Sequence, residues 1–498
     1  MDANLYSLLR GRFAHAMSRP ALVGADGRGP TYGEVDDLTA RFAAVLAARD
    51  VVPGDRVVVQ AEKSVGAVAL YLACLRIGAV FVPLNTAYTE REVDRFLADA
   101  GPRVFVCSHL RDAIAPYVEV LGTTADSPLW AEALTTAPHE TIAPREPADL
   151  AAIVYTSGTT GVSKGAMLSH GNLAANALTL HRLWGFREDD VLLHALPIFH
   201  VHGLFVALHC AMLSAATVIF LPKFDAAPVR SLLPRSTVLM GVPTFYTRLL
   251  GLEGFGRSDC HHMRLFISGS APLLAETWRE FEARTGMPIL ERYGMTETGM
   301  ITSNPLDGPR VPGTVGFALP DVEIRVVRED GGRAAPGEAG VLEVRGPNVF
   351  RGYWRMPERN AEEFRRDGFF VTGDIAVVDT QGRVTLVGRA KDLIISGGLN
   401  IYPKEIEEAL DTVDGVAESA VVGVPDPDFG ESVVAIVVAR PGSAVTVDGL
   451  MEAVHGRLAR FKHPRRIVLV DELPRNAMGK VQKNVLRERY RDAAAPVR

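Results

Sequence analysis

The chain has 498 residues, and at roughly 150 residues per domain that length suggests about three domain-sized units. Hydrophobic residues make up 47% of it and charged residues 22%, which excludes disorder, collagen-like repeats and small disulfide-built scaffolds. Lys and Arg number 53 against 59 Asp and Glu, a formal charge of −6, so a nucleic-acid role that depends on a basic face is not expected. The four cysteines (Cys74, Cys107, Cys210, Cys260) are scattered with no Cys-x-x-Cys pair, which fits a reducing compartment and no zinc ribbon.

In chain order, Leu5, Leu8 and Leu9 read as one face of a first helix. The start carries Asp2 and lacks the apolar core of a signal peptide, and only Arg10, Arg12 and Arg19 would suit a transit peptide. The expected location is cytoplasmic. Thr31 and Glu34 form a capping box ahead of Val35, Leu38, Phe42 and Val45 at helical spacing, and Arg56–Gln60 then reads as a strand. A second box, Thr89 and Glu92, leads a helix that Gly101-Pro102 stops before the strand VFVCS. The apolar stretches Val65–Leu84 and Leu204–Pro222 read as buried helices running into buried strands rather than as membrane spans. Repeated β–α–β order predicts an α/β fold with parallel-rich sheets and helices packed outside.

Beyond about Gly313 the texture changes. Turns such as Asp330-Gly331-Gly332 and Gln381-Gly382 separate short strands, which predicts a β-rich subdomain. After Gly388 the strands SAVVGVP, SVVAIVVAR and RIVLVDELP, with the helix GLMEAVHGRLARF, predict a small α+β domain. The expected division is a large domain over 1–388, a hinge at 389–391 and a small mobile domain over 392–498.

The segment Thr156–Gly165, TSGTTGVSKG, directly follows the apolar strand AAIVY. Its hydroxyls, glycines and final lysine make a loop whose amides, OH groups and ammonium can face phosphate oxygens. It is not a Walker A loop, because Lys164 lies between Ser163 and Gly165. Gly161 to Gly165 matches the nucleophile-elbow pattern Gly-x-Ser-x-Gly, but that motif needs its serine straight off a strand, and here a loop intervenes.

With YGMTETG at Tyr293–Gly299, TGD at Thr372–Asp374, GRAKDLIISGG at Gly388–Gly398 and PRNAMGKVQK at Pro474–Lys483, essentially the whole chain resembles the acyl- and aryl-CoA synthetase superfamily of adenylate-forming enzymes. The resemblance implies that a carboxylate attacks the α-phosphate of MgATP, giving an acyl-adenylate that coenzyme A then intercepts. It also implies residue roles. Lys480 bridges the carboxylate and α-phosphate, and Thr296, Glu297 and His200 join it in catalysis, Glu297 as the Mg²⁺ carboxylate. ATP is held by Thr156, Ser157, Gly158, Thr159, Thr160, Gly161 and Lys164, by Ser270, Ala271 and Pro272, by Glu291, Tyr293, Gly294 and Met295, and by Asp374 and Arg389. Lys391 is the pivot between two poses of the small domain, and Ser396, Gly397 and Gly398 admit the pantetheine arm.

The runs GVPTFYTR and ERYGMTET resemble the malonyl-CoA synthetase branch most. That resemblance implies an arginine for a second carboxylate, Arg292 or Arg248, with Ser268, His200, Val201, His202 and Met300 lining the acyl pocket. A competing role for both arginines is an internal ion pair with carboxylates such as Glu291. Val201 stands where the branch often has a small polar residue, which leaves methylmalonate open. Other short or medium acids, loading of a carrier-protein thiol, and a non-catalytic nucleotide or acyl-CoA binder remain as alternatives. Lys164, Glu297 and Lys480 argue against the last. Small molecules alone are the expected partners, with no nucleic acid and no membrane insertion.

Overall fold

The structure is a computed structural model that describes residues 2–113, 115–156, 163–396, 399–426, 429–476 and 479–491. Both capping boxes form, on helices Tyr32–Ala47 and Glu90–Ala100, with each threonine hydroxyl receiving an amide and each glutamate reaching back. Leu5, Tyr6, Leu9 and Phe13 bury one face of helix Leu5–Phe13. The first long apolar stretch is helix Val65–Ile77 followed by strand Val80–Pro83. Arg76 within it is buried but satisfied, its guanidinium donating to the carbonyls of His139 and Glu140 and to the Tyr6 hydroxyl. No helix among the described residues is long and apolar enough to cross a membrane.

Two α/β layers carry the large region. One sheet runs in the order 117–120, 104–107, 56–60, 80–83, 150–156 and 164–169, parallel except for its last strand. That last pair, Leu150–Thr156 with Lys164–Ser169, is antiparallel. The second sheet sets strands 22–23, 217–220, 191–194, 238–241, 265–268 and 290–295 parallel, then adds 299–303 and 317–318 antiparallel. A four-stranded antiparallel sheet of 323–327, 339–345, 370–378 and 384–389 is the expected β-rich part.

Behind it, strand Gly430–Ala439 pairs antiparallel with Val416–Asp426 and parallel with Arg466–Val470. The helix expected through Phe461 is shorter, Val447–His455, because the chain leaves the helix at Gly456 and turns through Arg460–Lys462. Among the described residues, hydrophobic clusters do not mix across the junction: those of the large region reach Val384 and Leu386, and those behind it begin at Ile394. The two regions touch through polar contacts instead. Arg440 meets Glu276 at 3.1 Å, and the Lys404 ammonium donates to the Leu386 carbonyl.

One buried pair anchors the parallel sheet. Asp190, fully buried, accepts from Arg264 Nε at 2.7 Å, Thr237 Oγ1 at 2.7 Å and the Arg187 amide at 2.8 Å. Burial alone would raise its pKa, but these donors hold it below the ordinary carboxylate value. Its stabilisation is therefore complete above that ordinary value and is lost as the pH falls below it. Asp190→Ala should cost about 3 kcal/mol, the penalty of stranding one partner of a buried pair. Thermal midpoints of wild type and variant should separate at pH 7 and converge in acid; equal midpoints at pH 7 would contradict this role.

Candidate active site

The parallel strands of the second sheet end together at His194, Gly241 and Ser268, and the crevice beyond such strand ends is where open α/β sheets bind ligands. The loops leaving these ends carry most of the residues singled out by the sequence. Strand Leu290–Met295 runs alongside and extends past them into a turn that holds Thr296 and Glu297.

Arg292 lies on that strand at 3% exposure, and among the described residues neither its Nε nor its Nη2 has a partner. It packs against Gly269, where an added Cβ would sit 2.5 Å from the guanidinium carbon, so only glycine permits this placement. Burial pulls Arg292 down to about 9, still cationic at neutral pH. The Glu291 pair does not form. Neighbours on a strand point to opposite faces, and burial pushes the Glu291 carboxyl up to about 8. Arg248 is exposed near the end of helix Pro243–Leu250, whose buried side is Phe245, Tyr246 and Leu249, so the structure does not bring it to Arg292.

Other unpartnered polar atoms accompany Arg292. Ser268 Oγ and His202 Nε2 are buried without hydrogen bonds among the described residues, while His202 Nδ1 lies 3.2 Å from Ser270 Oγ. Burial and the Arg292 charge bring His200 down to about 4 and His202 well below its ordinary value, so both are neutral at pH 7. His202 opens a π-helical segment, His202–Leu208, which the sequence did not reveal. Val201 and Met300 are buried nearby in the chain; Val201 shares a small cavity wall with Phe205 and Gly299, and Met300 is held through its backbone by Asn176.

A second polar cluster is built where two sheets meet. Asp374 and Arg389 face one another across paired strands, 3.0 Å apart, and the Tyr293 hydroxyl donates to the second oxygen of Asp374. Ser270 is held at φ 70°, a left-handed conformation uncommon for serine, ahead of half-buried Ala271 and exposed Pro272. Gly294, Met295 and Thr296 are half-buried. Glu297 is 5% exposed, and burial raises its pKa. Its Oε1 accepts from the Tyr353 hydroxyl at 2.9 Å. A buried carboxylate of this kind, with few protein partners, suits Mg²⁺, which takes one or two carboxylates and completes its shell with phosphate and water.

Thr156 ends its strand and Lys164 begins the next, its ammonium 3.1 Å from Glu363 and over the Tyr353 ring. Ser157, Gly158, Thr159, Thr160 and Gly161, like Gly397 and Gly398, lie outside the described residues. Ser396 ends a short strand, half-buried. Tyr353 and Glu363 were missed in the sequence, where GYW and the following acidic helix carry no chemical signature of their own.

The small region delivers Lys480 to this crevice. Gly479, at φ 73°, would place a Cβ 3.2 Å from Thr244 Oγ1 of the large region, so the loop lies against the strand ends. The loop is tight: the Asn476 amide donates to the Lys480 carbonyl at 2.9 Å, and Asn476 Oδ1 accepts the Lys480 amide at 3.0 Å. Burial, then Arg389 and Lys391, lower Lys480 to about 8 against the opposing Asp374 and Asp392. Lys391 itself is exposed, and its carbonyl lies 3.5 Å from an Arg487 nitrogen.

Comparison with known proteins agrees with this geometry. Residues 9–354 match the AMP-binding enzyme family model and residues 405–480 that of the AMP-binding enzyme C-terminal domain. The mitochondrial malonate–CoA ligase of Mus musculus is 39% identical over 82% of this chain and 77% of its own length. The indoleacetate–CoA ligase of Aromatoleum aromaticum is 37% identical over 92% of each. The crystal structure of ATP-bound MatB from Rhodopseudomonas palustris is 52% identical over 99% of this chain and 100% of that one, with a TM-score of 0.96. The apo form of the same neighbour scores 0.85. The chain belongs to the AMP-binding enzyme family, and within it is an acyl-CoA ligase.

Proposed function

We propose that the acid is malonate, joined to coenzyme A through malonyl-adenylate with release of pyrophosphate and AMP. The observation that carries this reading is the buried, unpartnered set of Arg292 Nε and Nη2, Ser268 Oγ and His202 Nε2. An unpaired buried cation is costly, and a ligand carboxylate removes that cost while losing its own water. The malonate–CoA ligase and MatB likenesses support the same choice.

In the proposed mechanism Arg292 holds the distal carboxylate and leaves the other free to attack the α-phosphorus. Lys480 places its ammonium between the attacking oxygen and the phosphate, and Thr296 donates to the phosphate. Glu297 would hold Mg²⁺, which supplies charge neutralisation for the departing pyrophosphate. Tyr353 orients that carboxylate, and Asp374 takes the ribose hydroxyls. Catalysis is then positioning plus electrostatic stabilisation, as phosphoryl-type chemistry demands. The small domain, over 392–498, next turns about 389–391 with Lys391 as pivot, withdrawing Lys480 and bringing Ser396, Gly397 and Gly398 to the crevice. There the thiol sulfur bonds to the acyl carbon and AMP leaves.

Arg292→Ala should lose most of its kcat/KM for malonate and change little in ATP affinity. Butyrate should suffer far less, or gain. Paired kcat/KM measurements on wild type and variant test this, and a variant that keeps its malonate preference would sink the assignment.

Lys480→Ala should abolish adenylate formation while sparing conversion of preformed malonyl-adenylate to the thioester. In wild type, kcat/KM for ATP should fall as the pH rises through about 8, because the free enzyme then loses its ammonium. Equal loss of both half-reactions would overturn the two-pose role.

Lys391→Pro should show the reverse pattern, since proline fixes φ near −65° and stiffens the pivot. Adenylation measured by pyrophosphate release should outlast thioester formation. Equal retention of both steps would place the pivot elsewhere.

A further inference from the structure

Lys164 is not a free ammonium awaiting phosphate. Its Nζ is 3.1 Å from Glu363 Oε1 and 4.1 Å from the centre of the Tyr353 ring, with only 18% of the side chain exposed. Glu363 closes helix Pro357–Glu363, and its own side chain is 16% exposed. Arg359, one turn earlier, reaches the same Glu363 oxygen at 2.6 Å but is 44% exposed. Tyr353 completes the connection, because its hydroxyl donates to Glu297. Carboxylate, lysine, ring and second carboxylate thus form one chain of contacts from helix Pro357–Glu363 to the proposed metal ligand.

We infer that Glu363 is a positioning residue that competes with phosphate for Lys164 and so sets how firmly pyrophosphate is held. The inference rests on the proposed role of Lys164 as a phosphate ligand. A carboxylate and a phosphate oxygen want the same ammonium, and both are anions, so a phosphate that takes Lys164 must displace or sit beside Glu363. The cost falls on bound nucleotide and bound product alike. Binding alone gains nothing from such a residue. Turnover does, because the adenylation step leaves a tetra-anionic product in a cationic crevice, and a side chain that reclaims the lysine lowers the barrier to its departure. Glu363 is suited to this by its position at the end of a short helix, near enough to hold Lys164. Arg359 tempers it by sharing its charge.

The test is equilibrium binding of magnesium pyrophosphate and of MgATP to the full chain, with neither acid nor coenzyme A present. Glu363→Gln keeps the shape and removes the charge. It should bind pyrophosphate about fivefold or more tightly, the low end of ordinary coupling between charged sites. In turnover it should lower KM for ATP and sharpen product inhibition by pyrophosphate. Arg359→Ala removes the residue that shares Glu363, so it should leave pyrophosphate affinity unchanged or weaken it. A purely structural role for the helix would move both variants in one direction. Unchanged or weaker pyrophosphate binding by Glu363→Gln, or tightening by both variants, would overturn the inference. Because no acid is present, a failure of the malonate assignment would not affect these outcomes. A wild-type protein that bound neither ATP nor pyrophosphate would overturn the phosphate role of Lys164 and this inference with it.

Discussion

A guanidinium at 3% exposure with two unpartnered nitrogens imposes an electrostatic demand that much of the surrounding structure is arranged to maintain. Strand Leu290–Met295 holds Arg292 between the parallel strand Leu265–Ser268 and the antiparallel strand Gly299–Ser303, so its backbone has no freedom to carry the charge outward. Gly269 clears the space it occupies. The neighbouring Tyr246 hydroxyl donates to the Ile267 carbonyl at 2.6 Å. Strand alternation turns Glu291 away.

The same strand couples that demand to the nucleotide. Tyr293, one residue on, is fixed by Asp374, and Asp374 by Arg389, which ties the second sheet to the antiparallel one. Positive charge around the crevice comes from Arg292 and Arg389, with Lys480 entering from the small region. The histidines are kept neutral by burial and by these cations, so they can serve as hydrogen-bonding groups without adding to the field. Arg389 and Lys391 oppose the Lys480 ammonium, and Asp374 and Asp392 favour it.

Much of this was legible in the residues themselves. Thr31, Glu34, Thr89 and Glu92 announce their helices because capping is local chemistry, and short apolar runs announce buried strands. The phosphate hairpin was half visible: strand Leu150–Thr156 reads as apolar, but Lys164–Ser169 mixes Lys, Gly and Ser and gains its strand character only from its partner. Arg248 and Arg292 look equivalent in sequence. Only the helix face that exposes one and the sheet that buries the other separate them. Tyr353 and Glu363 reach the site through the tertiary fold, so nothing local could reveal them. The helix after Val447 ends at Gly456 because glycine costs about 1 kcal/mol in a helix interior and the following arginines find no buried face to compensate.

The central claim is that the charge on Arg292 is reserved for a second carboxylate, and the most direct measurement compares malonate with its monomethyl ester. The two acids share the reacting carboxylate and nearly the same size and differ in one negative charge. ATP–pyrophosphate exchange without coenzyme A reads the adenylation step alone. The account predicts exchange with malonate that exceeds exchange with the ester by about a hundredfold or more in kcat/KM, because a site built to pair a buried group rejects a ligand that leaves it unpaired. Comparable exchange with both acids would contradict it.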